Sequence, residues 1–166
     1  TIPSRDGILE PDEIRSRVKE ETMNTPATTL LCLENTHNRG GGTTIPPESM
    51  SEYRRIADDA GMRIHLDGAR VFNAAVARGL SVADLTRDAD SVNFCLSKGL
   101  GCPIGSVLCG PAEFIARARR WRKRLGGGMC QAGLLAGAGL YALEHHVDRL
   151  AEDHARAKRL ADGLRD

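Results

Sequence analysis

Short apolar runs alternating with helical patterns constrain this chain more than any other feature of it. Thr28 to Leu33, Met62 to Leu66 and Val92 to Leu96 each have the length of a strand and are largely apolar or β-branched. That is how strands buried in a sheet read. Between the first two, Glu48 to Ala60 puts Met50, Tyr53, Ile56, Ala57 and Ala60 on one helical face, with Gly61 as its stop. Val71 to Ala77, stopped by Gly79, and Val82 to Arg87 read as two shorter helices before the third run. Strand, helix, strand, helix, strand demands crossovers, hence parallel pairing. Ile104 to Cys109 follows the third run too closely for a crossover and is expected to return antiparallel. The expected class is α/β, a mainly parallel sheet flanked by helices.

The remaining segments are less specific. Pro11 opens a helix with acids in its first turn and an Ile14–Val18 edge, after a loop over Arg5 to Glu10. Glu34 to Gly42 is a polar loop ending in successive glycines; it lacks the lysine-serine ending of a P-loop and reads as a turn at the rim of a pocket. From Pro111 the pattern is helical. Phe114, Ile115, Ala118, Trp121 and Leu125 form a stripe opposite Arg117, Arg119, Arg120, Arg122, Lys123 and Arg124, a face read as solvated or intersubunit. Gln131 to Leu143, rich in alanine, glycine and leucine, reads as a close-packed buried helix. Val147 to Leu164 reads as an amphipathic one.

Composition narrows the function classes. Net charge is +1 over 166 residues, and the basic helix lacks aromatic interleaving, so no nucleic-acid partner is expected. No apolar run approaches the ~20 residues of a membrane span. The five cysteines include no CxxC pair and read as small hydrophobes in a reducing compartment, with a cytoplasmic location expected. His145, His146 and His154, with the acids around them, fall on differing helical faces, so no metal is expected.

The chemistry gathers at two strand ends. Lys98 closes the third run and is followed by Gly99, Gly101, Pro103 and Gly105. A lysine there is either a surface residue in a turn or a desolvated amine. In the second case its natural use is a Schiff base with a carbonyl, including the aldehyde of pyridoxal phosphate. Asp67 closes the second run, with Arg70 three residues on. Ligands of parallel sheets collect outside the carboxyl ends of strands, so acid and amine can face one pocket. A pyridoxal site needs this pair: the lysine for the aldehyde, the acid for the pyridinium nitrogen. Asn35 and His37 lie just past the first strand's end, and for His37 a structural hydrogen bond is the commoner use.

Leu33-Glu-Asn-Thr-His-Asn, His65-Leu-Asp-Gly-Ala-Arg-Val-Phe-Asn-Ala-Ala, Cys95-Leu-Ser-Lys-Gly-Leu-Gly and Leu125-Gly-Gly-Gly-Met stand in an order and spacing that resembles the low-specificity L-threonine aldolases, pyridoxal-phosphate enzymes of aspartate-aminotransferase fold. The resemblance spans roughly Leu30 to Leu160. It implies a large domain of fold type I, incomplete here: residues 1–145 part of the pyridoxal-phosphate-binding domain, and 146–166 a helix leading toward a C-terminal small domain. It implies Lys98 as the catalytic, cofactor-bearing residue, Asp67 at the ring nitrogen, and Arg70 at the ring's 3-hydroxyl side and the substrate carboxylate. A salt bridge to a surface acid is the alternative for Arg70. The implied substrate is an amino acid, threonine or allo-threonine, cleaved to glycine and acetaldehyde, and the implied assembly is a homo-oligomer, a tetramer. The family's usual arginine after Gly-Gly-Gly-Met is Cys130 here, which puts one phosphate contact in doubt. Two other readings stay open: a non-catalytic interaction module of this fold, and a related β-eliminating lyase or aminotransferase.

Overall fold

Leu31 and Leu33 alternate with outward-facing neighbours, as do Ile64 and Leu66, and the second pair is wholly removed from solvent. The computed structural model, which describes residues 1–165, builds these into strands β1 (Leu30–Glu34) and β2 (Arg63–Asp67). β3 (Ser91–Cys95) and β4 (Ser106–Cys109) complete a four-stranded sheet in the order β1-β2-β3-β4. The first three strands are parallel and β4 pairs antiparallel to β3, as the spacing requires.

Helices fill the crossovers. α1 (Pro11–Arg17) precedes the sheet, and α2 (Pro47–Asp59) joins β1 to β2. α2 buries Met50, Tyr53, Ile56 and Ala57 against Ile14, Leu31, Leu33, Ile64 and Leu66 in the main core. Full burial of a side chain of this size contributes about 2 kcal/mol. Tyr53 also holds the amino-terminal loop: its hydroxyl accepts from Leu9 N (3.0 Å) and donates to Leu9 O (2.7 Å). α3 (Val71–Arg78) ends at Gly79 in the left-handed conformation, and α4 (Val82–Thr86) starts with a Ser81–Asp84 capping box. α3 and α4 share a small core of Ala74, Ala75 and Leu85.

The carboxyl-terminal part consists of α5 (Ala112–Arg124), α6 (Gly133–His145) and α7 (Leu150–Gly163). α6 departs from expectation. Of its residues only Gly139 and Ala142 are buried, while Leu134, Leu140 and Tyr141 are exposed. It docks by its small residues: a Cβ on Gly139 would lie 3.2 Å from Leu96 Cδ1. The larger apolar side chains therefore point away from the described part of the molecule. No helix among the described residues is long and apolar enough to cross a membrane.

Asp90 locks the amino-terminal end of β3 to the rest. Its carboxylate accepts from Ile64 N (2.8 Å), Arg54 Nη1 (2.8 Å) and Arg63 Nη1 (2.9 Å). Partial burial alone would raise its pKa. The hydrogen bond from Ile64 and the two guanidinium partners outweigh that and hold it below the ordinary carboxylate value.

Candidate functional site

Parallel register sets the site. Glu34 pairs with Asp67 and Asp67 with Asn93, so one row crosses β1, β2 and β3 near their carboxyl ends. One step back, Cys32, His65 and Ser91 form a second row on the same face. Residues two apart on a strand share a face, so these rows make a polar patch on a sheet whose other face is the apolar core.

Asp67 is half-buried. Its Oδ1 accepts from Ala69 N (3.0 Å) and Asn93 Nδ2 (3.1 Å), and among the described residues no hydrogen bond reaches Oδ2. Gly68 follows because nothing larger fits: its N donates to Asn93 O at 2.8 Å, and a Cβ would sit 2.9 Å from that oxygen. The chain then turns into α3, with Arg70 as the residue before its first turn. Arg70 is half-buried. The ion pairs of this region go from Arg54 and Arg63 to Asp90 and Asp58, and among the described residues Arg70 has none.

Lys98 lies past the end of β3 in a tight loop. Cys102 N donates to Leu96 O (3.0 Å) and Gly101 N to Lys98 O (2.9 Å). Leu96, Leu100 and Cys102 are buried with Ala142 of α6, and the His146 Nδ1–H donates to Leu100 O at 2.7 Å. Gly99 approaches α7 and α3 closely: a Cβ would lie 2.8 Å from Leu150 Cδ2 and 3.0 Å from Asn73 Oδ1. The loop is thus held by its two leucines, one on each side of the lysine. The Lys98 side chain itself is exposed, so the dry setting considered for it is not supplied by the described residues.

An open cavity of roughly 620 Å³ runs along β1 and is lined by Asp67, Glu34 and His37, but not by Lys98. His37 is held on one side, its Nδ1 accepting from Gly40 N at 3.0 Å, and its Nε2 lies 3.6 Å from Glu34 Oε2. The glycine run forms a tight turn, with Gly41 and Gly42 at φ 77° and 87°. Of the three histidines near the end of the chain, two have structural partners, His146 at Leu100 O and His154 at Asn73. Cys130 is exposed, and Arg124 stacks on the Trp121 ring at 5.1 Å.

One cluster was not singled out from sequence. His65 Nδ1 meets Ser91 Oγ at 2.8 Å, its Nε2 meets Asn93 Oδ1 at 3.0 Å, and Asn93 continues to Asp67. The available signal was a pair of polar residues two apart in each of two neighbouring strands, His65 with Asp67 and Ser91 with Asn93.

The sequence profile of the beta-eliminating lyase family matches residues 1–166. A low specificity L-threonine aldolase of Escherichia coli K12 is 46% identical over 161 residues, which are 97% of this chain and 47% of that protein. The low-specificity L-threonine aldolase 1 of Arabidopsis thaliana is 45% identical, over 96% of this chain and 45% of its own. The chain thus spans less than half the length of these curated relatives. The solved Leishmania major threonine aldolase superposes with a TM-score of 0.83 at 22% identity, over 99% of this chain and 49% of that one. A Thermus thermophilus aspartate aminotransferase superposes at 0.66 with 18% identity, over 94% of this chain and 41% of that one. At those identities the likeness is one of fold, and it bears out the expected aspartate-aminotransferase architecture.

Proposed function

The chain belongs to the beta-eliminating lyase family, and from that membership we propose that it acts as a pyridoxal-phosphate-dependent aldolase, cleaving L-threonine or L-allo-threonine to glycine and acetaldehyde. The supporting observation is an acid and an amine closing neighbouring parallel strands at the same end: Asp67 stands in register with Asn93, and Lys98 follows β3 directly. The donor set suits the cofactor. Asp67 keeps Oδ2 free of hydrogen bonds among the described residues while Oδ1 is tied down. Lys98 offers a primary amine on a loop anchored on both sides.

When bound, pyridoxal phosphate supplies an electron sink for the bond between Cα and Cβ of an amino acid. In this reading Lys98 Nζ would hold the aldehyde, and the Asp67 carboxylate would keep the ring nitrogen protonated. Arg70, half-buried and without an ion pair among the described residues, offers a guanidinium able to hold a substrate carboxylate in a two-pronged contact. His37, fixed through Nδ1, presents Nε2 toward Glu34 in the cavity that Asp67 lines. With Nδ1 accepting, Nε2 carries the imidazole hydrogen, so the group of this pair able to take a proton from the substrate hydroxyl is the Glu34 carboxylate.

The proposal extends to assembly and place. The exposed apolar face of α6 is suited to covering by further protein, in keeping with a homo-oligomer, a tetramer by resemblance. Five free thiols suit a reducing, cytoplasmic setting.

The full-length protein, incubated with pyridoxal phosphate, is expected to show a yellow absorbance band that borohydride removes and Lys98→Ala lacks. Given threonine, it releases acetaldehyde with no keto acid added. The exposure of Lys98 favours a second reading, a non-catalytic module of this fold. A colourless protein at saturating cofactor establishes that reading instead, and a keto-acid product with ammonia establishes a β-eliminating lyase.

A further inference from the structure

Asp67 can serve a ring nitrogen only if one of its oxygens is held still while the other is offered. The polar patch on β2 and β3 supplies the means. We propose that Ser91, His65 and Asn93 form a directional hydrogen-bonded relay whose task is to position the Asp67 carboxylate. His65 and Asn93 are its positioning residues. The proposal rests on the assignment of Asp67 to the cofactor ring.

Direction follows from donor and acceptor chemistry. An ionised carboxylate only accepts, so the Asn93 amide must turn its NH2 toward Asp67 Oδ1, 3.1 Å away. That leaves the amide oxygen of Asn93 facing His65 Nε2 at 3.0 Å. An amide oxygen also only accepts, so Nε2 must carry a hydrogen. A neutral imidazole with its proton on Nε2 accepts at Nδ1, and the Ser91 hydroxyl, 2.8 Å away and on a buried residue, donates there. For a neutral ring every link thus has one direction, and reversing any of them leaves two acceptors facing each other. Ala69 N adds a second donor to the same Oδ1. With both bonds on Oδ1, the carboxyl group cannot rotate without breaking them, and Oδ2 stays available.

The register makes the relay possible. His65 and Ser91 are direct partners across the parallel ladder, and so are Asp67 and Asn93. The ring of His65 spans from its own row to the next, a reach that a smaller polar side chain at this position does not have.

The first test needs no cofactor. In the full chain labelled with 15N-histidine, the long-range 1H–15N spectrum at neutral pH is expected to show His65 as a single Nε2–H tautomer. Asn93→Ala is expected to give a mixture of tautomers. A wild-type His65 with its proton on Nδ1, or already mixed, overturns the relay.

The second test compares His65→Leu with His65→Gln in the full chain by cofactor titration, with circular dichroism confirming that both fold. His65→Leu is expected to weaken pyridoxal phosphate binding roughly fivefold to tenfold, the scale of one or two lost hydrogen bonds. His65→Gln is expected to restore most of it, because its amide nitrogen can donate to Asn93 where Nε2 did. Equal affinities for the two variants overturn the positioning role. Asp67→Ala separates the two levels of argument. If it leaves cofactor binding unchanged, the assignment of Asp67 fails and the relay's purpose fails with it, even where the tautomer is as expected.

Discussion

Gly7 illustrates how much a single residue decides here. Its φ is +89°, and a Cβ built on it would lie 2.0 Å from His37 Cγ. Both facts admit only glycine. The amino-terminal loop therefore closes on the imidazole, and Gly40 meets the same loop, a Cβ there coming within 2.1 Å of Asp6 O. Gly7→Ala is expected to lower stability by about 1–3 kcal/mol, the cost of overpacking, and to displace His37 from the cavity. Chemical denaturation measures the first effect. An altered His37 resonance in the same spectrum used for His65 measures the second. At this scale the sequence was partly legible. Lys98 and Asp67 stood out as charged residues closing apolar runs, with Arg70 three residues past Asp67. His65 and Asn93 did not, because their meaning depends on which residue of the next strand lies opposite.

Among the elements, β3 depends most on one side chain. Asp90 precedes it and collects the Ile64 amide and two guanidinium groups. Asp90→Asn is expected to cost about 1–3 kcal/mol at pH 7, the usual scale for bonds to a charged group. The pH dependence has a definite sign. The folded pKa lies below the ordinary 3.8, so this stabilisation is complete above that value and is lost as pH falls through the folded pKa. Urea melts of wild type and variant should differ clearly at pH 7, and the gap should narrow below about pH 3.8. A gap that stays constant with pH would mean that the carboxylate's charge contributes nothing. Element boundaries followed sequence closely: α3 runs to Arg78 and stops at Gly79, and α2 ends one residue before Ala60. Local signals at caps and turns carried that accuracy.

For the whole molecule, the open question is what covers α6. Leu134 is 84% exposed, Leu140 63% and Tyr141 59%, on a helix that carries Glu144 as its one acidic residue. Apolar area of this kind marks a contact surface. Introducing Leu134→Glu and Leu140→Glu together is expected to lower the association state in sedimentation while leaving far-ultraviolet circular dichroism unchanged, since neither residue is buried among the described residues. An unaltered mass would remove α6 from the interface. The basic residues of α5 behave differently. They are exposed among the described residues, and one of them is spent on the Trp121 ring.

The order of strands and helices, the parallel sense of the first three strands, the reversal at β4 and the strand ends where Asp67 and Lys98 fall all follow from the sequence alone. Apolar periodicity and connection length are local quantities, and they dictate pairing direction without knowledge of the neighbours. Only the tertiary structure decided that α6 turns its large apolar side chains away from the described residues, that Lys98 stands exposed among them, and that Ser91, His65 and Asn93 line up on Asp67. A pattern of side chains shows which face of a helix is apolar but not what meets it. The partner of a polar group on one strand is set by the register of another, about 26 residues away in sequence.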